Sequence, residues 1–278
     1  MKLDQAVTLT EDRLAEEGGT MRELLGHFRN RISPVLIGHP EWGLVLERAR
    51  ELPITMGALP FGFELPLHAP EPRADLGVSL ASGTRTAAFF RERERTDPAD
   101  ETARVIGRLF RRMDAEDSPL RAIVGRKLML EHDIGSARDG QGSLPGIFLR
   151  PGERPIMGAR GQGHDAVTVV GALVSGVGWE LRDAERANVE RVYLAQPEDT
   201  RMDSFGVFPS RSRAIRLAVM GFQSQREVGS YLESTGWPGQ LAAVEAVIQR
   251  FEERANVVRT GVNIDVQEEG VGPTLGLT

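Results

Sequence analysis

Asp203-Ser204-Phe205-Gly206-Val207-Phe208, the turn Pro209-Ser210-Arg211-Ser212, and Ala214-Ile215-Arg216-Leu217-Ala218-Val219-Met220-Gly221 form the stretch whose reading decides the fold. Ile215, Leu217 and Val219 alternate with Arg216 and Ala218, the two-residue period of a strand with one apolar face. A Pro- and Ser-rich turn joining two such runs makes a hairpin. The same two-sidedness recurs outward in both directions. Val262, Ile264 and Val266 oppose Gly261, Asn263 and Asp265, and Leu275 and Leu277 oppose Thr274, Gly276 and Thr278, so Val258–Gln267 and Pro273–Thr278 read as a hairpin across Glu268-Glu269-Gly270. Leu76, Val78 and Leu80 oppose Gly77, Ser79 and Ala81, pairing with Phe61, Phe63 and Leu65 across the turn 68–73. Arg126–Ile134 and Gly146–Arg150 make a further pair around the loose connection Gly135–Gly142.

Between the hairpins the period changes to that of helices. An amphipathic helix capped by Thr10 is expected over 10–30, and a shorter one over 41–51 that ends before Pro53. Others are expected over 100–114, 166–175, 183–194, 225–234 and 240–255. The expected fold class is therefore α/β (α+β): repeated αββα units in a single domain, 1–278, forming an antiparallel β-barrel with a polar lumen surrounded by helices and lacking a final hairpin. Closure would remove exposed edges.

Composition excludes several classes. The 278-residue chain has no cysteine, which removes disulfides, thiolate metal sites and cysteine nucleophiles. A net charge of −6 argues against nucleic acid as a partner. The sequence shows no membrane-spanning run and no signal-peptide core, so a cytoplasmic protein is expected. Of 34 basic residues only Lys2 and Lys127 are lysine. There is no Walker loop, nucleophile elbow or dinucleotide fingerprint after a strand. No adjacent aspartates form a magnesium clamp. Gly158–Asp165 reads as a loop, and His39, His68 and His164 lie in Pro- or Gly-rich loops without partners at metal-ligand spacing. Trp42, Trp179 and Trp237 read as packing anchors.

Three strings carry a resemblance. Leu59-Pro60-Phe61-Gly62-Phe63-Glu64-Leu65 is followed by Arg73 at the next strand. Arg126-Lys127-Leu128-Met129-Leu130-Glu131-His132-Asp133 is followed by Gly146-Ile147-Phe148-Leu149-Arg150-Pro151. Phe205-Gly206-Val207-Phe208-Pro209 is followed by Arg213-Ala214-Ile215-Arg216-Leu217. In order and character these are similar to the hairpins of the ABBA-type (αββα barrel) aromatic prenyltransferases, in particular the indole, dimethylallyltryptophan synthase-like branch. The resemblance implies a natural-product enzyme that transfers a prenyl group from an allylic diphosphate to an aromatic or peptide acceptor. It also implies that inward cations, with no cofactor and no required metal, stabilise the leaving diphosphate. Arg73, Lys127, Arg150, Arg213, Arg216 and Arg259 are the candidates for that role, and Glu64 for the catalytic base. That family shields its carbocation with strand tyrosines. Here the only tyrosines, Tyr193 and Tyr231, fall in expected helices.

A plainer reading stands beside each assignment. Arg211 and Arg213 bracket a hairpin turn as solvated arginines do, and Glu131 and Asp133 beside Lys127 form either a structural ion-pair cluster or a site. Glu64 can equally face water. The alternative function is a non-catalytic barrel-like protein binding a peptide or hydrophobic metabolite, with a divergent metal-independent lyase or cyclase as a third class.

Overall fold

The computed structural model describes residues 3–65, 74–134, 144–158, 161–255 and 259–278. It is a mixed α/β structure with antiparallel strand ladders, and its contacts divide into two compact units. The first comprises Met1–Arg111, Arg126–Ile147 and Pro209–Arg211; the second comprises Arg112–Gly125, Phe148–Phe208 and Ser212–Thr278.

In the first unit the expected 10–30 helix is two helices, α1 (Leu3–Glu17) and α2 (Met21–Gly26). Gly18 and Gly19 adopt φ of 72° and 97°, which break the helix at no steric cost. The cap belongs to Thr20, whose hydroxyl accepts from the Arg22 N–H at 3.3 Å while its own N–H donates to Glu23 at 2.7 Å. Thr10, expected as the cap, sits inside α1 and donates its hydroxyl to the Ala6 carbonyl. Helix α3 (His39–Ala49) follows, so His39 opens a helix.

Strand β1 (Phe61–Glu64) pairs with β2 (Asp75–Ala81), and β2 pairs with β3 (Lys127–His132), both antiparallel. The register sets Phe63, Leu76 and His132 in one row and Phe61, Val78 and Leu130 in the next, so the apolar side chains share a face. Trp42 and Phe28 pack edge-on against Phe63 and Phe61 at centroid distances of 5.7 Å and 5.9 Å.

Helix α4 (Arg85–Thr96) has no counterpart among the expected helices. Its Arg-Glu-Arg-Glu-Arg run has charge on every side and hides the period. What holds it is its first turn. Buried Glu11 of α1 accepts from the Arg85 and Thr86 N–H groups at 2.9 Å and 3.1 Å, and Thr84 accepts from Ala87. Helix α5 (Glu101–Asp114) then buries Val105, Ile106, Leu109 and Phe110.

The second unit contains α6 (Pro119–Val124), the last two residues of β4 (Gly146–Leu149), and β5 (Ile156–Met157). Two helices, α7 (Gly163–Gly176) and α8 (Asp183–Ala195), lead to the hairpin β6 (Arg201–Val207) and β7 (Ile215–Phe222). Helices α9 (Gln225–Thr235) and α10 (Leu241–Ala255) lead to β8 (Thr260–Gln267) and β9 (Gly270–Leu277). His164 lies in the first turn of α7, and Tyr193 and Tyr231 lie in α8 and α9. Phe205, Leu217, Ile264 and Leu275 form one row across β6 to β9. Helix α7 packs on β6, α8 on β8 and β9, and α9 on β7. Among the described residues no helix is long and apolar enough to cross a membrane.

His132 gives the first unit a titratable core residue. It is 7% exposed on the apolar face, and its Nε2 has no hydrogen-bond partner. Burial, reinforced by nearby Arg48, pushes its pKa down to about 3. Between that value and the unfolded one the unfolded chain binds the extra proton, so stability falls as pH drops through the window. His132→Leu should flatten the pH dependence of urea midpoints between about pH 6 and 4 relative to the parent; parallel curves for the two proteins would refute this.

Candidate functional site

Strand alternation leaves each unit with a second, polar sheet face. In the first unit that face carries Glu64 opposite Asp75, Gly77 opposite Glu131, and Ala81 opposite Lys127. Arg211 engages Asp75, Glu131 and Asp133. Its Nε donates to both oxygens of Asp133 at 2.9 Å and 2.8 Å. Its Nη2 reaches Glu131 at 2.6 Å, Asp75 at 3.4 Å, and Asp133 a second time. Asp75 also accepts from the Ile134 N–H at 2.8 Å. Burial pushes the Asp75 carboxyl up, and repulsion from Asp133 adds to this against the Ile134 bond and Arg211. Burial opposes the charge on Arg211, yet Asp133 and Glu131 hold its pKa above the ordinary arginine value. The three carboxylates lie with oxygens within 4.8 Å of one another, the spacing of a cation site. The guanidinium fills the role of that cation.

In the second unit Arg216 and Asp265 face each other on β7 and β8 in a fork, Nε to Oδ1 at 2.8 Å and Nη2 to Oδ2 at 3.2 Å. Arg216 is only 8% exposed. Its guanidinium lies 4.3 Å from the Phe208 ring centroid, and Phe208 meets Phe148 edge-on at 5.3 Å. Gly206, opposite Arg216, makes room for this: a Cβ there would stand 2.4 Å from the Phe148 ring. One row away, Ser204, Ala218, Asn263 and Gly276 continue the same face.

The residues expected to hold a diphosphate are distributed as follows. Arg150 pairs with Asp203. Arg213 donates from Nε to Glu185 at 2.9 Å, also reaches the Glu180 carbonyl, and stacks over Trp179 at 5.3 Å. Burial raises the Glu185 carboxyl while Arg213 and the Arg182 N–H lower it, and the net direction is down. Arg259 is exposed just before β8, and Lys127 and Glu64 are exposed in the first unit. Arg73 lies outside the described residues. In the second unit Arg150, Arg213 and Arg216 thus engage three different carboxylates. The reading of Arg211 and Arg213 as solvated turn residues is corrected: both are part-buried and ion-paired. Glu131 and Asp133 do form an ion-pair cluster, with Arg211 as its cation.

Sequence reasoning missed the partners more than the arginines. Asp75 lies 136 positions from Arg211 and Glu185 lies 28 from Arg213, so no local period links them. Phe208 and Phe148 were visible only as strand-end aromatics. Comparison with protein-family models, curated proteins and solved structures finds no match.

Removing one member of a paired, part-buried charge cluster costs more than removing an exposed pair. Arg211→Ala removes the guanidinium that Asp75, Glu131 and Asp133 share and should destabilise the chain by about 2 kcal/mol at neutral pH. Urea titrations should show the loss shrinking as acid protonates the cluster; a loss independent of pH would refute the role given to Arg211.

Proposed function

We propose that the chain is a binding protein without catalytic chemistry, and that the polar face of the second unit's sheet receives a peptide segment or an apolar metabolite. One observation carries this reading: Arg150, Arg213 and Arg216, the strand and turn cations of that unit, each already hold a carboxylate. A highly charged diphosphate would meet guanidinium groups whose charge is already balanced by a carboxylate, and displacing buried Glu185 from Arg213 would leave that acid unpaired.

Prenyl transfer from an allylic diphosphate to an aromatic or peptide acceptor is the second reading. It is supported by the strand-borne Arg216 stacked on Phe208 next to Phe148, a set of rings able to face a cation. The alternation α7-α8, β6-β7, α9-α10, β8-β9 supports the finer architectural reading of repeated αββα units around a polar interior.

Ligand binding to the folded state raises the thermal midpoint by mass action. Dimethylallyl and geranyl diphosphates are compared with geraniol, which keeps the prenyl chain and lacks the charge. Stabilisation by geraniol equal to or greater than that by its diphosphate is expected, with no pyrophosphate released in the presence of indole or peptide acceptors. A diphosphate-specific shift that disappears in Arg216→Ala, together with pyrophosphate release, would overturn the binding reading in favour of the transferase.

A further inference from the structure

An open cavity of about 330 Å3 lies between α9 and the segment that joins α8 to β6. None of its lining residues belongs to a strand, so it is separate from the polar face of the sheet. Ala195 and Pro197 give it an apolar wall. Tyr231, 1% exposed, closes it inward, and the Tyr231 hydroxyl, sealed from solvent, has no hydrogen-bond partner. The cavity thus ends on a residue whose polar atom still lacks the bond that buried groups normally make. Its volume sits at the small end of the roughly 300–1,000 Å3 of ligand pockets, which restricts the occupant to a small molecule.

Two opposite charges line this cavity without meeting. Arg226 and Glu227 are consecutive in the first turn of α9, where neighbouring side chains diverge by about 100°. Glu227 is turned back by one carboxylate oxygen, Oε2, which accepts the Gln223 N–H at 2.7 Å. Its Oε1 and the whole Arg226 guanidinium have no partner among the described residues. Ser224 accepts the Glu227 N–H at 3.2 Å, so its own proton is left to donate. The Ser230 hydroxyl, one turn further along the lining, is also unpartnered among the described residues.

Charge selects the occupant. A lone anion drawn to Arg226 and to the N-terminal end of α9 meets repulsion from Glu227, and a lone cation drawn to Glu227 meets repulsion from Arg226. A molecule that carries both charges side by side satisfies both residues. We infer that this cavity binds a small free α-amino acid. Its carboxylate lies on Arg226 and the Ser224 hydroxyl, its ammonium on Glu227 and the Ser230 hydroxyl, and its short side chain against Ala195 and Pro197. This goes beyond the binding reading of the sheet face and depends on no part of it.

L-alanine, L-alaninamide and N-acetyl-L-alanine share one side chain and carry both charges, the ammonium alone and the carboxylate alone. By ligand-observed NMR the wild-type chain should bind L-alanine about tenfold more tightly than either analogue, the difference expected from one charge-assisted contact. Arg226→Gln should bind L-alanine no better than L-alaninamide. Glu227→Gln, whose amide oxygen still accepts the Gln223 N–H, should bind L-alanine no better than N-acetyl-L-alanine. Arg226 is exposed and unpaired, so R226Q keeps the test valid if E227Q does not fold. No binding of L-alanine to the wild type, equal affinity for the three probes, or a preference for L-alanine that survives in either folded variant would overturn the inference. These outcomes leave the sheet face untouched, since its test rests on geraniol and its diphosphate.

Discussion

Successive side chains on a strand point to opposite faces, and this two-residue period governs where charge can go in the chain. Leu217, Ile264 and Leu275 turn one way and are covered by helices α7 to α9. Fully burying each such aliphatic side chain contributes about 1.5–3 kcal/mol, so no strand can rotate its register to hide a charge there. Arg216 and Asp265 are left to the other side, among small residues, where they meet each other before they meet anything else. The polar clusters follow from the apolar packing.

The two clusters solve the cost of desolvation differently. Among the described residues Arg211 reaches three carboxylates on a half-buried surface, where Asp75 also holds a backbone N–H. Arg216 has one carboxylate and one ring, a balanced set that leaves part of its donor edge unused.

Much of the fold was legible because aliphatic residues at alternate positions mark strands directly, as in 203–221 and 258–278. The helices failed to declare themselves where the period was masked. Arg91 to Arg95 alternates charges through α4, and Gly18-Gly19 splits what the spacing of Leu14, Met21 and Leu25 suggested was one helix. The candidate site was legible only in part. Alternation placed Arg216 and Asp265 on polar faces, since each falls between aliphatic neighbours. Nothing local could reveal that Asp265 would meet Arg216 or that Arg211 would meet Asp75, because those pairings depend on strand register and on turns that bring distant segments together.

Helix α4 begins by borrowing. Two of its first N–H groups donate to Glu11, a carboxylate more than seventy positions earlier, and the hydroxyl of Thr86 donates to it as well. Its first turn is thus satisfied both by its own Thr84 cap and by a carboxylate on α1, so that the docking of α1 stabilises the start of α4.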